Sequence, residues 1–394
     1  MDNRKNDTAI SRRTVLKGTA ALAIAGTATS LAKPFIRNAE AATLNIRALM
    51  WEPYVLPEMV AAFEVEHGVK FSTTFFDGNS EAYNKLKLGG TRDFDFVQAD
   101  GFWSRLYFRE GLIRAIDPTK VPSLGAVFPT FQYPDYPLLA SEDGSDAIGV
   151  PFCWGGYGIT YNADQISDEE VSSLNVLFDA KNGGHLSASA RFEENIALAA
   201  ILVTSRMGTQ SAQRPDGKPF NPYVLTDEEL AGVEALLIEQ KKLLVTRYQD
   251  LGTLNNLMRS GSVWAAPEFS QVYRQLQELN RKGEADLNIQ HRLQAKEGGL
   301  GWIDSWMITS GVEDQEKLDL CHLFMNTILK PEHMKQIADK AGTSTCIDIR
   351  SLSTEEEREL FLMDRTAELK GLHMFDQPSS PEKWERVWSN MEAA

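Results

Sequence analysis

Cysteine is scarce: Cys153, Cys321 and Cys346 are the only three among 394 residues. Three scattered thiols exclude a disulfide framework and a cysteine-rich metal site, and leave only a single Cys321–Cys346 bridge open. The six histidines, at 67, 185, 291, 322, 333 and 373, include no H-x-x-x-H pair. There is no G-x-S-x-G elbow, no phosphate loop and no dinucleotide-binding glycine pattern. No plausible catalytic set emerges, and no cofactor or metal is expected. Past residue 41 no long apolar run remains, so no membrane-spanning helix is expected in the mature chain.

What is present begins with a leader. Residues 9–17 read Ala-Ile-Ser-Arg-Arg-Thr-Val-Leu-Lys, followed by a mildly apolar stretch, Gly18 to Ala32, and the small-residue run Ala39-Glu40-Ala41-Ala42. That order is an export signal: charged region, short apolar region, cleavage site. The pair Arg12–Arg13 resembles a bacterial twin-arginine signal, which implies the twin-arginine translocase as a partner during export. The apolar stretch, about 15 residues, falls short of the roughly 20 needed to cross a bilayer. Residues 1–41 are therefore set apart as a signal peptide. With no cysteine beside the cleavage site, a free periplasmic protein of a Gram-negative bacterium is expected.

The precursor carries a formal charge of −15. Its first 41 residues hold seven basic and three acidic residues, so the mature chain stands at about −19. An acidic surface argues against nucleic acid and anionic lipid and is compatible with a cationic ligand.

Along the mature chain, strand and helix patterns alternate. Thr43–Met50 alternates as a strand, and a helical pattern starts at Pro57 and closes at Gly68. Strands are predicted at 69–76 and 94–97, with helices at 83–88 and 104–110 between and after them. Further strands are predicted at 147–152, 158–161, 263–266 and 300–309, and helices at 195–207, 227–244, 251–258 and 315–329. The glycine-rich run Gly155-Gly156-Tyr157-Gly158 reads as a crossing between lobes. This alternation indicates an α/β fold with a largely parallel sheet. The mature length suggests two domains or one split by a cleft.

The chemically suggestive residues are aromatics beside carboxylates. In Gly301-Trp302-Ile303-Asp304-Ser305-Trp306, a strand puts Trp302, Asp304 and Trp306 on one face. Such a face can hold an ammonium group, each ring adding roughly 0.5–2 kcal/mol and the carboxylate roughly 1.5–3 kcal/mol. The competing reading places both tryptophans in the core, with Asp304 capping a turn. Trp51-Glu52-Pro53-Tyr54 sits where the first strand ends, a position suited to ligand contact in α/β sheets.

These residues resemble the spermidine/putrescine-binding branch of the bacterial extracellular solute-binding proteins. The likeness runs over the mature chain. It rests on Trp51-Glu52-Pro53-Tyr54, on Val150-Pro151-Phe152-Cys153-Trp154-Gly155, on Glu297-Gly298-Gly299 through Trp302-Ile303-Asp304-Ser305, and on Leu329-Lys330-Pro331. The resemblance implies a two-lobed, type II periplasmic-binding-protein fold with the ligand cleft between the lobes. One lobe is expected from 42–149 plus 304–345, and the other from 150–303 plus 346–394. It further implies a monomer serving the permease subunits of an ABC importer rather than an enzyme, and a small cationic or zwitterionic ligand. Trp51, Tyr54 and Trp302 match box aromatics, Asp304 the principal acid, and Phe269, beside Glu268, a position the family fills with tryptophan. Phe102 falls at a further aromatic position, with Asp100 nearby. Ser189 stands where an aspartate would grip the far amine, with Glu193 or Glu194 as substitutes and Arg191 nearby. Gln377 matches an amine-bonding glutamine, and Thr343 replaces a binding tyrosine. A monoamine or zwitterion thus competes with a polyamine as ligand. An exported cofactor-bearing enzyme and an iron-binding relative are the other readings. The first finds no cofactor motif, and the second lacks adjacent tyrosines, since Tyr157 and Tyr161 are separated.

Overall fold

The computed structural model describes residues 44–133, 137–211 and 219–394. The leader with its Arg12–Arg13 pair lies outside the described residues.

Eleven strands make one continuous network. They are β1 (Asn45–Met50), β2 (Lys70–Phe75), β3 (Phe96–Asp100), β4 (Val150–Asn162), β5 (Leu186–Ser189), β6 (Leu244–Tyr248), β7 (Ala265–Glu268), β8 (Ile289–Arg292), β9 (Gly299–Ile308), β10 (Ser344–Thr345) and β11 (Leu372–Met374). The main path runs β2-β1-β3-β9-β4-β7-β5-β6. The pairs β1–β2, β1–β3, β5–β6 and β5–β7 are parallel. The central pairs β3–β9, β9–β4 and β4–β7 are antiparallel. Two parallel half-sheets, one per lobe, are thus joined through the two longest strands.

Apolar side chains explain the layers. On the β1–β3 side, Phe63, Phe96, Trp306 and Phe324 pack under one face, and Leu86, Val97, Trp103 and Tyr107 under the other. In the second lobe the helix Phe192–Met207 is buried from Glu194 through Thr204. A helix apolar around its circumference has to be covered on all sides. The helices Asp227–Lys241 and Pro381–Ala393 do this, bringing Leu230, Val233, Leu237 and Trp384 against it.

The predicted α/β alternation is present, but the sheet is mixed rather than largely parallel, because the long strands β4 and β9 pair antiparallel with their neighbours on the main path. A second difference concerns the glycines. The two strands expected at 147–152 and 158–161, with a glycine crossing between them, are the single 13-residue strand β4, buried for all but its last residue. The glycines are there for room rather than for a turn. A Cβ at Gly155 would stand 2.7 Å from the Trp302 indole, and one at Gly156 2.0 Å from the Leu293 side chain. Strands β5, β6 and β8 and the helices Gln271–Arg281, Pro331–Ala341 and Pro381–Ala393 were not predicted from the pattern.

The Cys321–Cys346 bridge is not formed: all three cysteines are unpaired and buried. Cys321 packs inside the helix Gln315–Ile328, and Cys346 follows β10 against β4, where its N–H bonds the Phe152 carbonyl at 2.9 Å. Reductant is therefore expected to leave the denaturation midpoint unchanged. A native bridge would instead reveal itself as a loss of about 2–4 kcal/mol on reduction.

Candidate functional site

The carboxyl ends of the parallel strands converge on one cavity of about 770 Å3. Loops beyond such ends are where α/β sheets hold ligands, because the backbone there is free of the ladder. Trp51 follows β1, Asp100 ends β3 and Phe102 is the second residue of the helix Gly101–Arg109 after it. From the other lobe, Ser189 ends β5, Tyr248 ends β6 and Phe269 follows β7. The antiparallel strand β9 crosses the floor and contributes Trp302 and Asp304.

Strand pairing fixes these last two. Trp302 is the cross-strand partner of Gly155, and its indole lies where a Cβ of that residue would be. Two residues on, Asp304 pairs with Cys153 on one side and Asp100 on the other. Tyr54 donates its hydroxyl to Asp304 Oδ2 at 2.6 Å, and Asn79 donates Nδ2 to Asp100 Oδ2 at 2.5 Å. Trp306 shares the face of Trp302 and Asp304, yet it lies in the core between Phe96, Phe152 and Phe324. The face leaves the cavity one residue pair too early for Trp306 to reach it.

On the opposite side Glu194 is the second buried carboxylate. It lies in the first turn of the helix Phe192–Met207, where the helix dipole favours an anion. Ser189 Oγ donates to its Oε2 at 2.8 Å, and Arg191 Nη1 to its Oε1 at 3.2 Å. Ser189 and Glu194, expected as alternatives, thus both line the cavity and are bonded to each other.

Of the expected site residues, Trp51, Tyr54, Asp100, Phe102, Ser189, Phe269, Trp302, Asp304 and Gln377 all line this cavity. Glu268 does not. Its carboxylate is fully buried, where it accepts from Thr160 Oγ1 and from the Val272 and Tyr273 N–H groups that open the helix Gln271–Arg281. It anchors a helix N-terminus and cannot also face a ligand. Thr343 is buried away from the cavity as well. Sequence reasoning missed Trp103, Tyr223, Tyr248 and Phe375 among the lining aromatics. Trp103 lies in the first turn of the helix Gly101–Arg109, Tyr248 ends β6, and Tyr223 and Phe375 come from loops, so no shared spacing signals them.

Charge is the dominant character of the walls. The lining contains seven carboxylates, one guanidinium (Arg191) and no lysine. Burial, then the neighbouring charge of Asp100, holds Asp304 well above the ordinary carboxylate range. Burial likewise pushes Asp100 up to about 7, with Glu194's charge adding and the Asn79 hydrogen bond opposing. Burial raises Glu194 too, against the pull of Arg191. Such an environment disfavours the anionic form of each carboxyl, and a nearby cation would oppose that shift.

The chain has relatives of known name. A family model for bacterial extracellular solute-binding proteins matches residues 58–352. The spermidine/putrescine-binding periplasmic protein of Escherichia coli (strain K12) is 25% identical over 302 residues, 75% of each chain. The putrescine-binding periplasmic protein SpuD of Pseudomonas aeruginosa (strain UCBPP-PA14) is 23% identical over 295 residues, covering 73% of this chain and 74% of SpuD. Among solved structures, the substrate-binding protein PotD of a Streptococcus pneumoniae spermidine/putrescine ABC transporter superposes with a TM-score of 0.68 at 22% identity. That match covers 89% of this chain and 98% of PotD. The likeness supports the two-lobed fold.

The raised carboxylates set the pH dependence of the ligand-free protein. From about pH 4, where an unfolded aspartate ionises, to the folded value of about 7 for Asp100, the unfolded chain loses its proton first. Stability from this source is thus full below that window and lost as pH rises through it. Denaturation midpoints should fall more between about pH 5 and 8 for the wild type than for an Asp100→Asn, Asp304→Asn double variant. Equal falls would remove these two groups as the cause.

Proposed function

This chain belongs to the bacterial extracellular solute-binding proteins, and we propose that it captures a small protonated amine of the polyamine kind for an ABC importer. The observation that carries this reading is the pairing of buried Asp304 with Asp100 beneath Trp51, Tyr54 and Trp302, in a wall with one basic residue. An ammonium there would neutralise two carboxylates that burial leaves short of a counter-charge. Its methylenes would lie against rings whose faces attract cations, at about 0.5–2 kcal/mol each.

The relatives named for spermidine and putrescine support the same ligand chemistry. Their periplasmic setting supports an extracytoplasmic one here, matching the export leader. A soluble capture protein then hands its ligand to membrane-embedded permease subunits. No helix among the described residues is long and apolar enough to cross a membrane.

A thermal-shift panel of putrescine, spermidine, butylamine and matched carboxylates tests the ligand class. At 100 times its dissociation constant an amine should add about 2.7 kcal/mol of stability, while the carboxylates should add nothing. Stabilisation by carboxylates alone would sink the reading.

The pocket assignment has a sharper test. Replacing Asp304 with Asn should cost roughly 1.5–3 kcal/mol of amine binding, the worth of a charge-assisted hydrogen bond. The same change should raise the midpoint of the ligand-free protein at alkaline pH, because it removes a buried like-charge neighbour of Asp100. Titration calorimetry and denaturation together read both effects. Weaker binding accompanied by lower stability would point to a damaged fold rather than a lost anchor.

A further inference from the structure

A ligand ammonium needs a desolvated carboxylate and an aromatic face. The cleft has only two places with a buried carboxylate, and they are not equivalent. Of the other acids of the lining, Asp77, Asp250 and Asp376 are exposed, where solvent screens an ion pair, and Glu193 is exposed as well, although partial burial raises its carboxyl. What remains is Asp304 with its half-buried partner Asp100 on one side, and Glu194 on the other.

At the first place no basic side chain bonds either carboxylate: Asp304 is bonded by Tyr54 and Asp100 by Asn79, both neutral, and Arg191 reaches Asp100 only through its charge, the weakest of the influences on that carboxyl. At the second, Arg191 takes both features that a ligand would use. Its Nη1 donates to Glu194 Oε1 at 3.2 Å, and its guanidinium stands over the Phe269 ring at 5.9 Å from the centroid. That is the geometry of an ammonium in an aromatic–acid clamp, supplied by the protein itself. Arg191 is the N-cap residue of the helix Phe192–Met207, so its backbone is held three residues from Glu194. A tethered cation acts at millimolar or higher effective concentration, and a dilute ligand amine must compete against it.

We infer that Arg191 is an internal surrogate for a second ligand ammonium, so that this cleft selects amines by one charged end only. The inference rests on the amine-binding reading above and narrows it: the ligand class is a small organic monocation, or a longer amine held by a single terminus. Ser189 belongs to the same device, since its hydroxyl orients the Glu194 carboxylate toward Arg191 without adding charge.

Butylamine and putrescine, which share a four-carbon chain and differ by one ammonium, are the matched probes. Titration calorimetry of the wild type should give dissociation constants within about threefold of each other. In Arg191→Gln, putrescine should tighten by about tenfold or more while butylamine stays unchanged; Arg191→Lys, which keeps the charge, should behave as the wild type. The Arg191 side chain is 67% exposed, so neither substitution threatens the core. A wild type that already prefers putrescine by tenfold, or an Arg191→Gln protein with the wild-type ratio, overturns the inference and leaves the amine-binding function standing. If neither amine binds to any of the three proteins, the function falls and the inference with it.

Discussion

The pairing of β4 with β9 is the interaction on which the rest depends. These are the longest strands, they join the two half-sheets, and their pairing sets the register from which Trp302 and Asp304 of β9 line the cavity. Gly155 lies under Trp302, so the indole can lie flat on the backbone and still face the cavity. One step along the same register brings Asp304 level with Asp100 of β3. Any side chain at position 155 would lift the ring. A slip of one residue would turn Trp302 and Asp304 to the far face of the sheet.

Much of the fold was legible because its helices and many of its strands follow ordinary periodicity. The helix Gln315–Ile328 and strands β1, β2 and β9 fall within a residue or two of their expected limits. The strand reading of 300–309 also put Trp302 and Asp304 on one face, where they are found, but it could not tell how far along that face the cavity ends. Phe324 from a helix 18 residues later closes it over Trp306. Glycine was the main source of error. In β4 three glycines within four residues look like a break, whereas each makes way for a neighbour: Trp302, Leu293, or Arg292 with His291. Such close approaches are tertiary facts, and local pattern carries no trace of them.

The acids divide in the same way. Asp304 could be picked out by its aromatic neighbours two residues either side. Glu268 had comparable company beside Phe269, but it is the last residue of β7 and turns inward to hold the next helix. Glu194 could be foreseen only as a replacement for Ser189. Its bond to Ser189 depends on the turn between β5 and the helix Phe192–Met207 folding back on itself, with Asn195 Nδ2 also holding the Ser189 carbonyl at 3.0 Å. The cleft thereby concentrates like charge at some expense of stability, as binding sites commonly do.

The Tyr54–Asp304 hydrogen bond joins residues 250 positions apart. Strand β3 likewise waits for β9, some two hundred residues downstream, before its open edge is covered. Contacts of such long range form late, because the entropy of closing the loop is lost before the contacts reward it. The residues that β1 and β3 contribute are therefore without Trp302 and Asp304 until β9 has paired. A ligand meets its site only once the central strands have paired, so it holds back unfolding far more than it hastens folding.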